Sequence, residues 1–303
     1  MSVPSLNRLR LAILLAAGLM ASPAGTAAQP TRVPEMPPLN GGVQGKRLPG
    51  KFVWADLVTD DLAAAQRFYG SLFGWKFYSI HPGYVVAELE ERVLAGILQR
   101  PKPKDRPAQP RWIGFMSVAS VDRAEKAVVK AGGRVLAPKE SLPRRGEQAI
   151  FADREGAVFG ALRSSSGDPD DVLAAPGEWI WIQMLSRDGG AAAAFYREVA
   201  GYKVVENDTP GRVSDFVLTS EGYARATIRT LRTTDAAVQA TWLPFVRVTR
   251  VAEAVTRVRE LGGTIRFEPS PEVLQGRVAI VADPTGASIG IMEWDETRGK
   301  GGR

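Results

Sequence analysis

Between Lys51 and Val58 the chain alternates, with Phe52, Trp54, Asp56 and Val58 on one side and Val53, Ala55 and Leu57 on the other. That period of two predicts a strand. Asp60 or Asp61 can then cap a helix running to about Phe73, whose buried side carries Leu62, Ala65, Phe68, Tyr69 and Leu72, and Gly74 ends it. Three further runs, 75–79, 84–89 and 93–99, are broken by turn residues such as Pro82-Gly83 and predict strands. The same order returns at once: a strand over 112–118, a helix over 122–131 stopped by Gly132-Gly133, and strands over 134–137, 148–153 and 158–163.

The whole pattern then recurs. Trp54, Asp61, Phe68, Tyr69 and Gly74 reappear as Trp181, Asp188, Phe195, Tyr196 and Gly201, each displaced by 127 positions. Trp112, Val118, Gly132, Gly133, Asp153 and Gly156 reappear as Trp242, Val248, Gly262, Gly263, Asp283 and Gly286, each displaced by 130. Two constant offsets mean a tandem duplication whose unit has the size of a domain. The expected fold class is α+β, with four βαβββ units, two per domain. The domains fall at 51–165 and 178–296, with a Ser-, Asp-, Pro- and Gly-rich linker over 166–177, a Pro/Gly-rich linker or loosely held arm over 29–50, and a tail over 297–303 expected to be disordered.

Arg8 and Arg10, the apolar run from Leu11 to Met20 and the small residues up to Ala28 are the three parts of a secretory signal over residues 1–28. The run is short for a membrane span. The expectation is a periplasmic or secreted protein with no membrane span once the signal is removed. The net charge of +6 is spread along the chain, and no basic block is interleaved with aromatics, so nucleic acid is not an expected partner. The absence of cysteine removes disulfides, thiolate nucleophiles and thiolate metal sites. With a single histidine, a Ser-His-Asp arrangement has to be built on His81. No phosphate loop or dinucleotide fingerprint is present.

Trp54-x-Asp56-Leu57-x-Thr59-x-Asp61 followed by Phe68-Tyr69-x-x-Leu72-Phe73-Gly74-Trp75 resembles the opening of a vicinal oxygen chelate (VOC) module, the glyoxalase, bleomycin-resistance and extradiol-dioxygenase superfamily. Val118-x-x-Val121-Asp122 with Ala131-Gly132-Gly133 resembles the start of that module's second half, and Asp283-Pro284-Thr285-Gly286-Ala287 its closing turn. The resemblance implies paired βαβββ units curled into a cup, a pseudo-twofold pairing of the two modules, and a divalent metal held inside each cup by His and Glu. The implied ligand positions carry Trp54 and Trp181, Ile113 and Leu243, and Gly160 and Gly290, none of which can hold a metal. The reading is therefore that no metal and no cofactor is used.

Strand parity puts Asp56 beside Trp54 and Gln183 beside Trp181. Each cup is expected to present an indole floor, a polar group two residues along, and a gap at Gly160 or Gly290. Trp112 and Trp242 complete the candidate ligand-binding set, either at the cup rim or as core. The small-molecule partner is unidentified, and a homo-oligomer is left open. Asp56 is the one candidate for chemistry, since a carboxyl in an apolar cup has its pKa raised and can act as a base. Three readings follow: metal-free binding of a small molecule; a metal-independent lyase, isomerase or hydrolase using Asp56; or an interaction module with filled cups. His81, Arg106, Arg144 and Arg145 are expected to be solvated loop residues.

Overall fold

The computed structural model describes residues 35–41, 44–102, 104–105, 109–207, 215–231 and 239–294. The expected signal over 1–28, Arg106 and the tail lie outside these residues. The first module runs β1 (Phe52–Thr59), α1 (Leu62–Phe73), β2 (Lys76–His81), β3 (Tyr84–Leu89), β4 (Arg92–Gln99), β5 (Arg111–Ser117), α2 (Val121–Lys130), β6 (Arg134–Leu142), β7 (Gly146–Ala152) and β8 (Val158–Ser164). The second repeats it as β9 (Trp179–Ser186), α3 (Gly189–Ala200), β10 (Lys203–Glu206), β11 (Phe216–Ser220), β12 (Tyr223–Thr230), β13 (Thr241–Val248), α4 (Val251–Glu260), β14 (Thr264–Phe267), β15 (Val278–Ala282) and β16 (Ser288–Glu293). Each module is one eight-stranded mixed sheet, ordered β2-β3-β4-β1-β5-β8-β7-β6 and β10-β11-β12-β9-β13-β16-β15-β14. Among the described residues no helix is long and apolar enough to cross a membrane.

The helix ends follow from local chemistry. Asp61 and Asp188 accept from the backbone N–H groups of Ala64 and Ala191, each at 2.9 Å, which satisfies donors the first turn leaves without partners. Gly74 and Gly201 close the same helices at φ +77° and +70°, a conformation that suits glycine.

The helices do not cover their own modules alone. Ala65, Phe68, Tyr69 and Phe73 of α1 share one core with Val251, Val255 and Val258 of α4. The other core joins Val121, Ala124 and Val128 of α2 to Ala192, Phe195, Tyr196 and Val199 of α3. First half thus packs on the other module's second half, which gives the pseudo-twofold pair that the repeat implies. Two hydrogen-bond relays cross this junction. Trp112 Nε1 donates to Tyr69 Oη at 3.0 Å, and Tyr69 Oη donates to Asp283 Oδ2 at 3.0 Å. The mirror relay runs from Trp242 Nε1 to Tyr196 Oη at 2.7 Å and on to Asp153 Oδ2 at 2.8 Å. Burial pushes both tyrosine hydroxyls well above their ordinary range, and the facing aspartates push the same way, so they stay protonated donors.

Both linking segments are held by specific contacts. The 166–177 linker is not a slack tether: Asp168 accepts from Leu48 N and Ser117 Oγ, and Asp171 pairs with Lys51 at 3.0 Å and Arg225 at 2.6 Å. The arm before β1 is held as well, with Asn40 Nδ2 donating to Asp168 O at 2.9 Å and Met36 and Leu39 buried. Parity along β1 also breaks once. A bulge between Phe52 and Trp54 sends Phe52 to the helix side, 4.8 Å from the Trp242 ring, while Val53 joins the cup beside Trp54.

Replacing Tyr69 with Phe strands the Trp112 N–H and one Asp283 oxygen in the junction. The expected outcome is a loss of about 1–3 kcal/mol in denaturant unfolding, with Tyr196→Phe costing a similar amount. Midpoints that match the parent protein show that the relays do not hold the modules together.

Candidate functional site

The cups lie on the sheet faces turned away from the helices. In the first, β1 brings Trp54 and Asp56 side by side, and Trp54 Nε1 donates to Asp56 Oδ1 at 2.8 Å. Tyr84 at the start of β3 donates from Oη to the same oxygen, also at 2.8 Å. The space for that bond exists because β4 has Gly96 opposite Asp56. A Cβ there would sit 1.9 Å from Tyr84 Oη and 2.2 Å from Asp56 Oδ1. Burial raises the pKa of Asp56, against the opposing pull of Tyr84, Trp54 and Arg145. Burial and the Asp56 charge push the Tyr84 phenol well above its usual range.

Arg145 is the residue that sequence reasoning misplaced. It was expected in solvent, yet it is 1% exposed. The turn from β6 to β7 folds it inward: Arg144 takes φ +63° and Gly146 φ +116°, and Arg145 N donates to Leu142 O at 3.2 Å. Its guanidinium lies 3.9 Å from the Trp54 ring centroid, a cation–π contact. Its Nε, Nη1 and Nη2 are buried without an acceptor. Arg144 does stand at the surface, 3.9 Å from Glu35.

The second cup is built on the same frame with different chemistry. Trp181 Nε1 donates to Thr227 Oγ1 at 3.0 Å, and Gln183 Nε2 reaches the same oxygen at 3.3 Å. Thr227 pairs with Gln183 where Gly96 pairs with Asp56, so a hydroxyl here takes the place of the Asp56 carboxyl. Trp181 and Gln183 remain partly exposed, whereas Trp54 and Asp56 are buried.

The other members of the expected set fall elsewhere. Trp112 and Trp242 sit on the helix side, bound into the junction relays, because they pair with Leu57 and Met184 rather than with cup-facing residues. Gly160 and Gly290 make no gap: a Cβ at either would lie 2.2 or 2.1 Å from the ring of Phe115 or Phe245, which fills the place. His81 ends β2 and stacks on Tyr84, with ring centroids 5.4 Å apart. A cleft of about 860 Å³ is lined by residues of both modules, among them Trp54 and Trp181, Pro37 to Asn40, Tyr223 and Arg225.

Residues 180–291 match the model of the Glyoxalase/Bleomycin resistance protein/Dioxygenase superfamily, and residues 51–89 match that of the bleomycin resistance protein-like N-terminal unit. The chain is 30% identical over 263 residues to the anthracycline biosynthesis protein DauV of Streptomyces sp. (strain C5), covering 82% of this chain and 94% of that relative. The chain belongs to this superfamily. The protein DnrV of Streptomyces peucetius, also named for anthracycline biosynthesis, is 29% identical with the same coverage. The Mn(II)-bound glyoxalase from Novosphingobium aromaticivorans shares the fold at TM-score 0.55 and 14% identity, over 81% of this chain and 82% of that one.

The family's metal was tested against the residues present. Trp54 and Phe115 pair across β1 and β5, and Phe115 pairs with Gly160, so the implied ligand positions do face one cup. They offer an indole N–H already donated to Asp56, the alkyl chain of Ile113 and a glycine. Among the described residues no three His, Cys, Asp or Glu side chains converge. This donor set does not fit a divalent ion.

Two outcomes follow. Gly160→Ala is expected to cost about 1–3 kcal/mol by overpacking against Phe115, read as a lowered unfolding midpoint; a neutral result indicates room in the cup. Asp56→Asn tests the buried acid. A carboxyl whose folded pKa is raised binds its proton more tightly in the native state, so its contribution is full in acid and is lost as pH climbs from the ordinary aspartate value through the raised one. Asp56→Asn is therefore expected to flatten that fall across the acid range, measured as unfolding free energy against pH.

Proposed function

We propose that this protein is an exported, metal-free, small-molecule-binding member of the superfamily, with its ligands seated on the indoles of the two cups. The observation that carries the reading is the partly exposed Trp181–Gln183–Thr227 group. An aromatic face lies beside one hydroxyl and one amide, which suits a flat, mostly apolar ligand with a single polar anchor. The cleft that reaches Trp54 and Trp181 supplies a route of adequate size. Export rests on the N-terminal pattern alone. The names of the two Streptomyces relatives direct the first probes towards polycyclic aromatics.

A second reading, a metal-independent enzyme with Asp56 as base, has one observation in its favour, the raised pKa of that buried carboxyl. Against it stands the engagement of Oδ1 by two donors behind the covering arm.

The test is a titration of the EDTA-treated protein with a soluble hydroxyanthraquinone, followed by tryptophan fluorescence and calorimetry. Saturable binding is expected to survive EDTA and to weaken at least ten-fold in Trp181→Leu. A tightly held divalent ion found by elemental analysis at one per module, or binding that appears only when metal is restored, overturns the reading.

A further inference from the structure

Arg145 is a buried cation whose nitrogens make no hydrogen bond, and Asp56 acts on it only through space. A guanidinium stays charged under all physiological conditions, and burying it without acceptors is costly. Here every side-chain nitrogen is buried and none has a hydrogen-bond partner. The acid nearest to it in the cup, Asp56, has Oδ1 bonded to Trp54 and Tyr84 rather than to the arginine. The other buried arginine among the described residues, Arg225, does reach an acid: its Nη1 meets Asp171 at 2.6 Å, while its Nε and Nη2 also lack partners. The Trp54 ring faces Arg145, and a ring face compensates a cation only in part.

What closes this cup is the arm. Met36 and Leu39 belong to the same apolar cluster as Trp54, Tyr84 and Phe115. The residues between them, Pro37 and Pro38, lack backbone N–H groups and so donate no hydrogen bond to a neighbouring strand. Neither apolar side chain can offer an acceptor to the guanidinium. Residues 37–41 line the cleft that also touches Trp54. The arm therefore lies over a cup that holds an unsatisfied cation above an indole.

We propose that the first cup binds a planar organic anion, an aromatic carboxylate or phenolate, with its oxygens on Arg145 and its ring in the seat held by Met36 and Leu39, and that the arm is a plug the ligand displaces. This rests on the binding reading above and adds a charge class and a gate to it. Planar bidentate donation from arginine to a carboxylate supplies the acceptors that the empty cup lacks. Displacing the plug takes two apolar side chains out of their cluster, so the arm weakens binding by the fraction of time it spends seated.

The probes are 2-naphthoate and its uncharged isostere 2-naphthamide, titrated by calorimetry into the full chain, into Arg145→Met and into Met36→Ser/Leu39→Ser. Naphthoate is expected to bind at least ten-fold more tightly than naphthamide. Arg145→Met is expected to abolish that preference and to raise the Tm of the ligand-free protein, because it removes an uncompensated charge. The arm variant is expected to tighten naphthoate several-fold. Equal affinity for the two probes in the parent protein, which needs no variant, overturns the inference. So does a lowered Tm in Arg145→Met with naphthoate affinity unchanged, the signature of a guanidinium satisfied by ordered water. An arm variant that binds naphthoate no better overturns the gate. In each of these cases hydroxyanthraquinone binding and its dependence on Trp181 still report separately on the broader reading.

Discussion

The junction between the modules is the constraint on which the other features depend. Each Tyr–Asp pair joins the first half of one module to the second half of the other, and each aspartate also braces its own closing turn. Asp153 Oδ1 accepts from Glu155 N and Ala157 N, and Asp283 Oδ1 from Thr285, Gly286 and Ala287. One carboxylate thus fixes a turn with one oxygen and a partner helix with the other. Burial raises the pKa of Asp153, so the arrangement relies on its hydrogen bonds from Tyr196 and the turn amides to favour the charged form. Glu155 extends the same logic by accepting from Ser186 Oγ, Arg187 N and Asp188 N at the mouth of α3.

Because helices and junction consume one face of each sheet, the cups are what remains. That face cannot be filled from the helix side, so its contents come from alternate residues of the central strands and from whatever segment reaches over it. In the first module that segment is the arm, tied to residues 166–168 by Gly45 N, Asn40 and Leu48 N. The stretch between the modules is thereby part of the cover of the first cup as well as a connection, since Asp168 answers to the arm and Asp171 to both Lys51 and Arg225.

The sequence made the fold legible because duplication doubled every signal. Period-two strands, capped helices and stop glycines recurred at fixed offsets, so an ambiguous run in one copy was decided by the other. The cup contents were less legible. Trp54 beside Asp56 followed from strand parity, but Phe52 did not, because a bulge inserts a residue that no pattern marks. Trp112 and Trp242 were ambiguous between rim and core until pairing with Leu57 and Met184 placed them. The role of Gly96 was hidden because its counterpart in the other sheet, Thr227, lies outside the two motif blocks whose constant offsets revealed the repeat. Arg145 was invisible for a physical reason: a turn rich in Pro, Arg and Gly reads as surface, and only the positive φ angles on either side turn the side chain inward.

Comparison of the two cups gives the last step. Two charged residues of the first cup are neutral in the second copy. Asp56 corresponds to Gln183, and Arg145, displaced by the second-half offset of 130, corresponds to Gln275. A cup that kept one of these charges without the other would hold either a lone acid or a lone cation in an apolar interior, the costlier outcome. The first cup has both and the second has neither, which is what electrostatic coupling across a few residues of apolar space requires. Yet the charged pair is not joined by a hydrogen bond, and Asp56 is turned to Trp54 and Tyr84. If stability alone set the arrangement, a direct ion pair or two neutral residues would serve better, and at these two positions the second copy has neutral residues. The first keeps Asp56 at the N–H edge of one indole and Arg145 over its face, with the arginine's donors unsatisfied. That separation costs stability and is consistent with a site whose polarity is reserved for a third group.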